Sequence, residues 1–176
     1  MFEVLQYDFI QNALIAGVLI SIAAGIIGSL VVVNKITFLT GGIAHSSYGG
    51  IGLAIYTGIP VLFGATVFAV ITAVLIAIIT LNNRNRIDAI IGMMWASGMA
   101  IGIIFVDLTS GYNVDLMSYL FGSIIAVSSE DIKYMFVMDI FIIAVIIYFY
   151  KEILAVSYDS EFATLRGINV KFFYTL

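Results

Sequence analysis

Residues Asn113–Ser129, NVDLMSYLFGSIIAVSS, decide how the rest of the chain is read. From Val114 to Val127 the stretch is apolar enough for lipid. It is nonetheless shorter than the about 20 apolar residues a spanning helix needs, and Asp115 and Gly122 interrupt it. A short helix between two spanning ones is re-entrant or interfacial, because irregular backbone at membrane depth survives only inside protein or beside water. The stretch therefore reads as a short outer helix, and the topology on either side depends on it.

The surrounding composition is that of a membrane protein. The chain is 62% hydrophobic and 10% charged, against about 25% charged in soluble domains, and its mean hydropathy is +1.16. There is no Cys, which excludes disulfides and thiolate metal sites. The seven basic residues are scattered without a patch, so no nucleic-acid partner is expected. The N-terminal MFEVLQYDFI holds Glu3 and Asp8 and no basic residue, unlike the start of a signal peptide, so the first helix is expected to be retained.

Hydrophobic runs predict spanning helices at roughly 9–33, 43–58, 60–81, 88–106 and 132–150. Lys and Arg collect on the cytoplasmic side of membrane proteins. If 114–127 does not span, counting crossings from Lys35 returns Arg84, Arg86, Lys151, Arg166 and Lys171 to the same side, and only Lys133 lies opposite. If it did span, Lys151, Arg166 and Lys171 would lie outside. Charge thus predicts an extracytoplasmic N-terminus and an outer face carrying Glu3, Asp8, Asp107, Asp115, Glu130 and Asp131. The expected fold is an all-α polytopic membrane protein with five spanning helices, one short outer helix and a cytoplasmic segment after the fifth. In that segment Asp159 or Ser160 is placed to cap a short helix ending near Arg166, with Gly167 as its stop.

Four segments, GIIGSLVVVNKITFLTGGIAHSSYGGIGLA (25–54), DAIIGMMWASGMAIGIIF (88–105), VDLMSYLFGSIIAVSSEDI (114–132) and SEFATLRGI (160–168), resemble the permease subunit of ATP-binding-cassette transporters for zinc, manganese or iron. The likeness runs over essentially the whole chain, residues 1–176 reading as one permease domain. Members of that family are longer by about three helices, so the chain reads as the N-terminal two-thirds of such a permease. The resemblance implies an importer built of two permease copies in the cell membrane. Two cytoplasmic ATPases drive it, and an extracytoplasmic binding protein delivers the metal. It implies no tightly bound cofactor, the divalent metal being cargo: zinc first, manganese or iron as alternatives. It also implies that segment 156–168 is a coupling helix docked on the ATPase, with Asp159, Glu161, Ala163 and Gly167 its characteristic residues.

His45, the single histidine, falls near the cytoplasmic start of the second span. An ionisable residue inside a membrane segment is a functional candidate, and neutral imidazole suits zinc or manganese. A hydrogen bond between helices is the competing role. Many relatives carry an Asp four residues earlier, on the same helical face; here that position is Gly41. Asp107 and Asp115 bracket the outer end of the fourth span and suit a cation-attracting vestibule, or else are solvated helix-end acids. Glu130 and Asp131 read as a helix N-terminal pair. Asp139 falls mid-membrane and should face protein or water. Met93, Met94, Met99 and Trp95 read as packing residues, as do Gly98 with Gly102 and Gly49, Gly50 and Gly52. No Walker motif occurs, so the chain is read as a transport subunit and not an enzyme, with ATP hydrolysis on another chain. The alternatives are an ATP-independent channel or carrier and an inactive, truncated permease.

Overall fold

The computed structural model describes residues 7–81, 86–109 and 122–176, and among these every regular element is helical. Arg84, Asp115 and most of the 114–127 stretch lie outside the described residues. The chain divides into two compact units.

The first unit comprises residues 1–34 and 115–162. Helix α1 (Asp8–Val33) packs along α6 (Ser129–Tyr148) and against a 3-10 turn at Ile124–Ala126. Ala16 of α1 is fully buried, and a hydrogen bond of 3.2 Å from Asn12 Nδ2 to the Val127 carbonyl ties the turn to α1. A capping box starts α6. Ser128 Oγ accepts from the Asp131 amide at 3.2 Å, and the Asp131 carboxylate accepts from the Ser128 amide at 3.0 Å. The expected N-terminal acidic pair is therefore divided in role. Asp131 caps, while Glu130 makes a solvent-exposed ion pair with Lys133 at 2.8 Å, a contact worth little. At Phe149 the chain bends by 70° into α7 (Tyr150–Tyr158). Ser157 of α7 lies against the end of α1, where its Oγ receives a 3.0 Å hydrogen bond from Asn34 Nδ2. The sequence does not mark α7, because KEILAVSY breaks the apolar run that signals a span.

The second unit comprises residues 35–114 and 163–176. It contains α2 (Thr37–Ser46), α3 (Tyr48–Thr57), α4 (Val61–Thr80), α5 (Ile87–Asp107) and α9 (Val170–Thr175). The span expected at 43–58 is instead two ten-residue helices, the first starting at Thr37. The interruption has a local cause. Ser46 and Ser47 turn their hydroxyls back onto the carbonyls of Ile43 (2.9 Å) and Ala44 (2.7 Å), competing with the helical ladder. Gly58, at φ 75°, ends α3 in the left-handed conformation, and Pro60 leads into α4.

Glycine contacts hold α3 between α4 and α5, and α2 against α5. A Cβ built at Gly98 would lie 2.5 Å from the Ser46 carbonyl oxygen and 2.6 Å from its Cα. One at Gly52 would lie 2.7 Å from the Gly102 Cα, and one at Gly50 would lie 2.8 Å from the Gly64 carbonyl carbon. Lipid provides no hydrophobic drive between helices, so association rests on such close backbone approach. The small-residue face expected at Gly98 and Gly102 is present, as is that of Gly49, Gly50 and Gly52. Ile76, Ile90 and Ile91 form the adjoining core, with Leu39, Ile43, Ile87 and Met94 packed on it. Tyr174 of α9 reaches Thr80 of α4 through a hydroxyl pair 3.2 Å apart.

The chain is an all-α membrane protein. Among the described residues α1, α4 and α5 are each long and apolar enough to cross a bilayer, and α6 with α7 makes a fourth if that bent pair is one span. Five were expected. The difference lies in α2 and α3, of ten residues each, neither of which is long enough to cross alone.

Gly98→Ala is expected to destabilise the folded chain by about 1–3 kcal/mol through overpacking. Gly25→Ala in α1, where an added Cβ meets nothing within 4 Å, should be neutral or stabilising by about 0.5–1 kcal/mol. Thermal unfolding in detergent compares the two.

Candidate functional site

Phe38 and His45 lie seven residues apart in α2, two turns along one face. That face meets Trp95 of α5. The His45 and Trp95 rings are stacked, with centroids 4.0 Å apart and planes within 5°. Phe38 tilts against the same indole at 6.2 Å. Trp95 Nε1 donates to Met99 Sδ at 3.0 Å, one turn further along α5. The glycines bring these residues together. Gly98 lets the α5 backbone meet Ser46, next to His45, and an added Cβ at Gly42 would run into the Ile91 side chain. In the sequence Trp95 and Met99 read as packing residues, and nothing there connects them with His45. Met94 does pack on the isoleucine core, and Met93 is 64% exposed.

His45 is half-buried, and its Nδ1 is shielded from solvent without a hydrogen-bond partner among the described residues. An unsatisfied buried polar atom costs about 1–3 kcal/mol, so it calls for an explanation. The imidazole nitrogen is also a good donor to a borderline metal ion. An added Cβ at Gly41, one turn before His45, meets nothing within 4 Å, so this position has room for a side chain.

Of the other candidates, the described ones do not join His45. Asp107 is exposed at the end of α5, twelve residues beyond Trp95, or about 18 Å along the helix at 1.5 Å per residue. Asp115 lies outside the described residues. Among the described residues no three His, Asp or Glu side chains converge as a metal site. Asp139, in α6 of the other unit, is 7% exposed, and its Oδ2 has no hydrogen-bond partner among the described residues. It is buried in protein, one of the two surroundings expected for it from the sequence.

The segment after α7 forms α8 (Ser160–Leu165). Asp159 caps it, Oδ1 accepting from the amides of Glu161 (3.0 Å) and Phe162 (2.9 Å). Of the two possible caps, Ser160 is already the first helical residue. Gly167 closes the helix at φ 78°, donating to the Thr164 carbonyl at 3.0 Å, while the Ile168 amide reaches the Ala163 carbonyl at 3.0 Å. Ala163 is fully buried, whereas Glu161 is exposed, Phe162 is 50% exposed and Leu165 is 88% exposed. The helix thus has one anchored small residue and an open apolar and acidic face.

A model of the ABC 3 transport family matches residues 6–176. The chain belongs to this family. It is 45% identical over 174 residues to an uncharacterized membrane protein, slr2045, of Synechocystis, covering 99% of this chain and 62% of that one. It is 38% identical over 162 residues to a probable metal transport system membrane protein of Chlamydia trachomatis, covering 89% of this chain and 55% of that one. The manganese transport system membrane protein MntC of Listeria monocytogenes is 32% identical over 170 residues, covering 97% and 60%. Among solved structures, PsaBC from Streptococcus pneumoniae in complex with Fab superposes with a TM-score of 0.82 at 30% identity. That match covers 99% of this chain and 64% of the other. The chain therefore spans about three-fifths of the length of these curated ABC 3 relatives.

Asp159→Ala is expected to cost about 1 kcal/mol of local stability in α8. The measurement is amide exchange at Glu161 and Phe162, which should become about fivefold faster.

Proposed function

We propose that this chain is the membrane-spanning part of an ATP-driven importer of divalent metal ions, with His45 on the ion's path. The observation that carries the reading is the buried, unpartnered Nδ1 of His45 on a close-packed helix face in a chain of the ABC 3 family. An imidazole nitrogen whose lone pair meets no hydrogen-bond donor can ligate a borderline cation, and a site with a single protein donor holds it weakly. Weak binding suits conduction, since an ion must leave as readily as it enters. The remaining coordination positions fall to water or to groups of the assembled transporter.

Manganese is the cargo we favour, because relatives from Listeria and Halalkalibacterium are named for it. Zinc is the alternative, since an imidazole serves both ions. Asp107 is proposed as an acidic group at the outer mouth, where negative charge raises the local cation concentration. Asp115 is proposed for the same role from its place in the sequence.

The partners we propose are a cytoplasmic ATPase, an extracytoplasmic metal-binding protein and a second permease copy. ATP hydrolysis is assigned to the ATPase chain. Residues 156–168 are the proposed coupling segment. The exposed Glu161, Phe162 and Leu165 would meet the ATPase, while capping by Asp159, burial of Ala163 and the turn at Gly167 keep α8 stiff enough to pass on rigid-body motion. The distribution of Lys and Arg supports a cell-membrane protein with its N-terminus outside.

In cells that depend on this transporter, His45→Gln should lower manganese uptake by about tenfold or more, the range seen when metal-site groups are altered. Unchanged uptake with normal protein levels would overturn the role of His45. Gly41→Asp should raise manganese affinity by a similar factor of about ten, because it adds a carboxylate one turn from His45 where there is space for it. Equilibrium binding of manganese to the chain in lipid nanodiscs measures that change.

A further inference from the structure

We infer that Trp95 is a positioning residue for His45, holding the imidazole plane so that its nitrogens meet an ion edge-on. The inference rests on the metal-transport reading above and adds the device that orients the donor.

A metal-ligating histidine is ordinarily held by a hydrogen bond from its other ring nitrogen to a carboxylate or carbonyl. His45 lacks that support, because neither of its ring nitrogens has a hydrogen-bond partner among the described residues, whichever of them meets the ion. The position one turn earlier, where a carboxylate would stand, is Gly41. Rotation about the last side-chain bond of histidine is broad and nearly two-fold, so an imidazole without a hydrogen bond samples many planes. Stacking on Trp95 at 4.0 Å and 5° removes that freedom.

The geometry of the stack suits ligation. The lone pair of the unprotonated nitrogen lies in the plane of the imidazole, and the indole covers only a face. By fixing the ring plane, the stack fixes the plane in which a cation reaches that nitrogen. The indole is itself restrained. Its N–H is committed to Met99 Sδ at 3.0 Å, and Phe38 leans on it from the same face of α2 that carries His45. The backbone contact of Gly98 with Ser46 sets the distance between the helices at this level. Phe38, Trp95 and Met99 thus form an apolar cradle for the single histidine of the chain.

Trp95 is also the single tryptophan, so its emission reports on this site alone. The test uses the full chain in lipid nanodiscs with Mn(II) as the probe. In the unmodified chain Mn(II), a paramagnetic quencher, should quench Trp95 emission. Diamagnetic Zn(II) should reverse that quenching by competition, and His45→Gln should abolish it. Trp95→Phe, which keeps an aromatic face and loses the N–H, should keep Mn(II) affinity close to that of the unmodified chain. Trp95→Leu should lower the affinity by about tenfold or more with the thermal midpoint of the fold retained.

If Trp95→Leu binds Mn(II) as tightly as the unmodified chain while His45→Gln does not, the positioning role is overturned and the metal reading stands. If His45→Gln binds Mn(II) as well as the unmodified chain, the metal reading at this residue fails instead. Should Trp95→Leu not fold, the emission of the unmodified chain still decides. Binding that depends on His45 without quenching of Trp95 would place the ion away from the stack and overturn the inference.

Discussion

Close contact between helix backbones, made possible where side chains are absent, is the constraint on which the second unit depends. Helices in lipid gain nothing by burying apolar side chains, since lipid is as apolar as protein. What holds them is van der Waals contact at short range, and Gly50 with Gly64, Gly52 with Gly102 and Gly98 with Ser46 provide it. These pairs leave no room for a Cβ, so they set the distance between α3 and both neighbours and between α2 and α5. The open glycines of α1, Gly25 and Gly28, show the contrast. Glycine alone does not make a contact; a facing backbone does.

The environment of His45 follows from that distance. With α5 lying against α2 at Ser46, an indole three residues before Gly98 lies flat on the imidazole next to Ser46. A larger residue at position 98 would move the helices apart and open the stack. The interruption between α2 and α3 has its own place in this. Two adjacent serines spend their hydroxyls on backbone carbonyls, and the ladder breaks just after His45. Packing, aromatic stacking and a local break in helical hydrogen bonding therefore meet within a few residues.

The segment after α6 is governed by local chemistry. The bend at Phe149 turns α7 through 70° toward the end of α1, where Asn34 meets Ser157. Asp159 then satisfies two free amides at the start of α8, and Gly167 supplies the left-handed residue that ends it. A helix of six residues has little stability of its own. Its order comes from the caps and from the burial of Ala163, while Phe162 and Leu165 stay exposed.

Much of this was legible in the sequence, for physical reasons that act over short distances. Composition determined the membrane class. Runs of apolar residues determined α1, α4, α5 and most of α6, and the chemistry of Asp159 or Ser160 and of Gly167 marked the ends of α8. Small residues four apart marked Gly98 and Gly102 as a contact face. The joining of Trp95 to His45 was not legible, because it depends on the register of one helix against another, and two residues fifty apart carry no sign of it. The division of one expected span into α2 and α3 was missed because apolar periodicity does not register hydroxyls that bond back to the chain. Which glycines are filled and which stand open, and the isolation of Asp107 from His45, were likewise decided only by tertiary packing, where the neighbour of a residue comes from another helix.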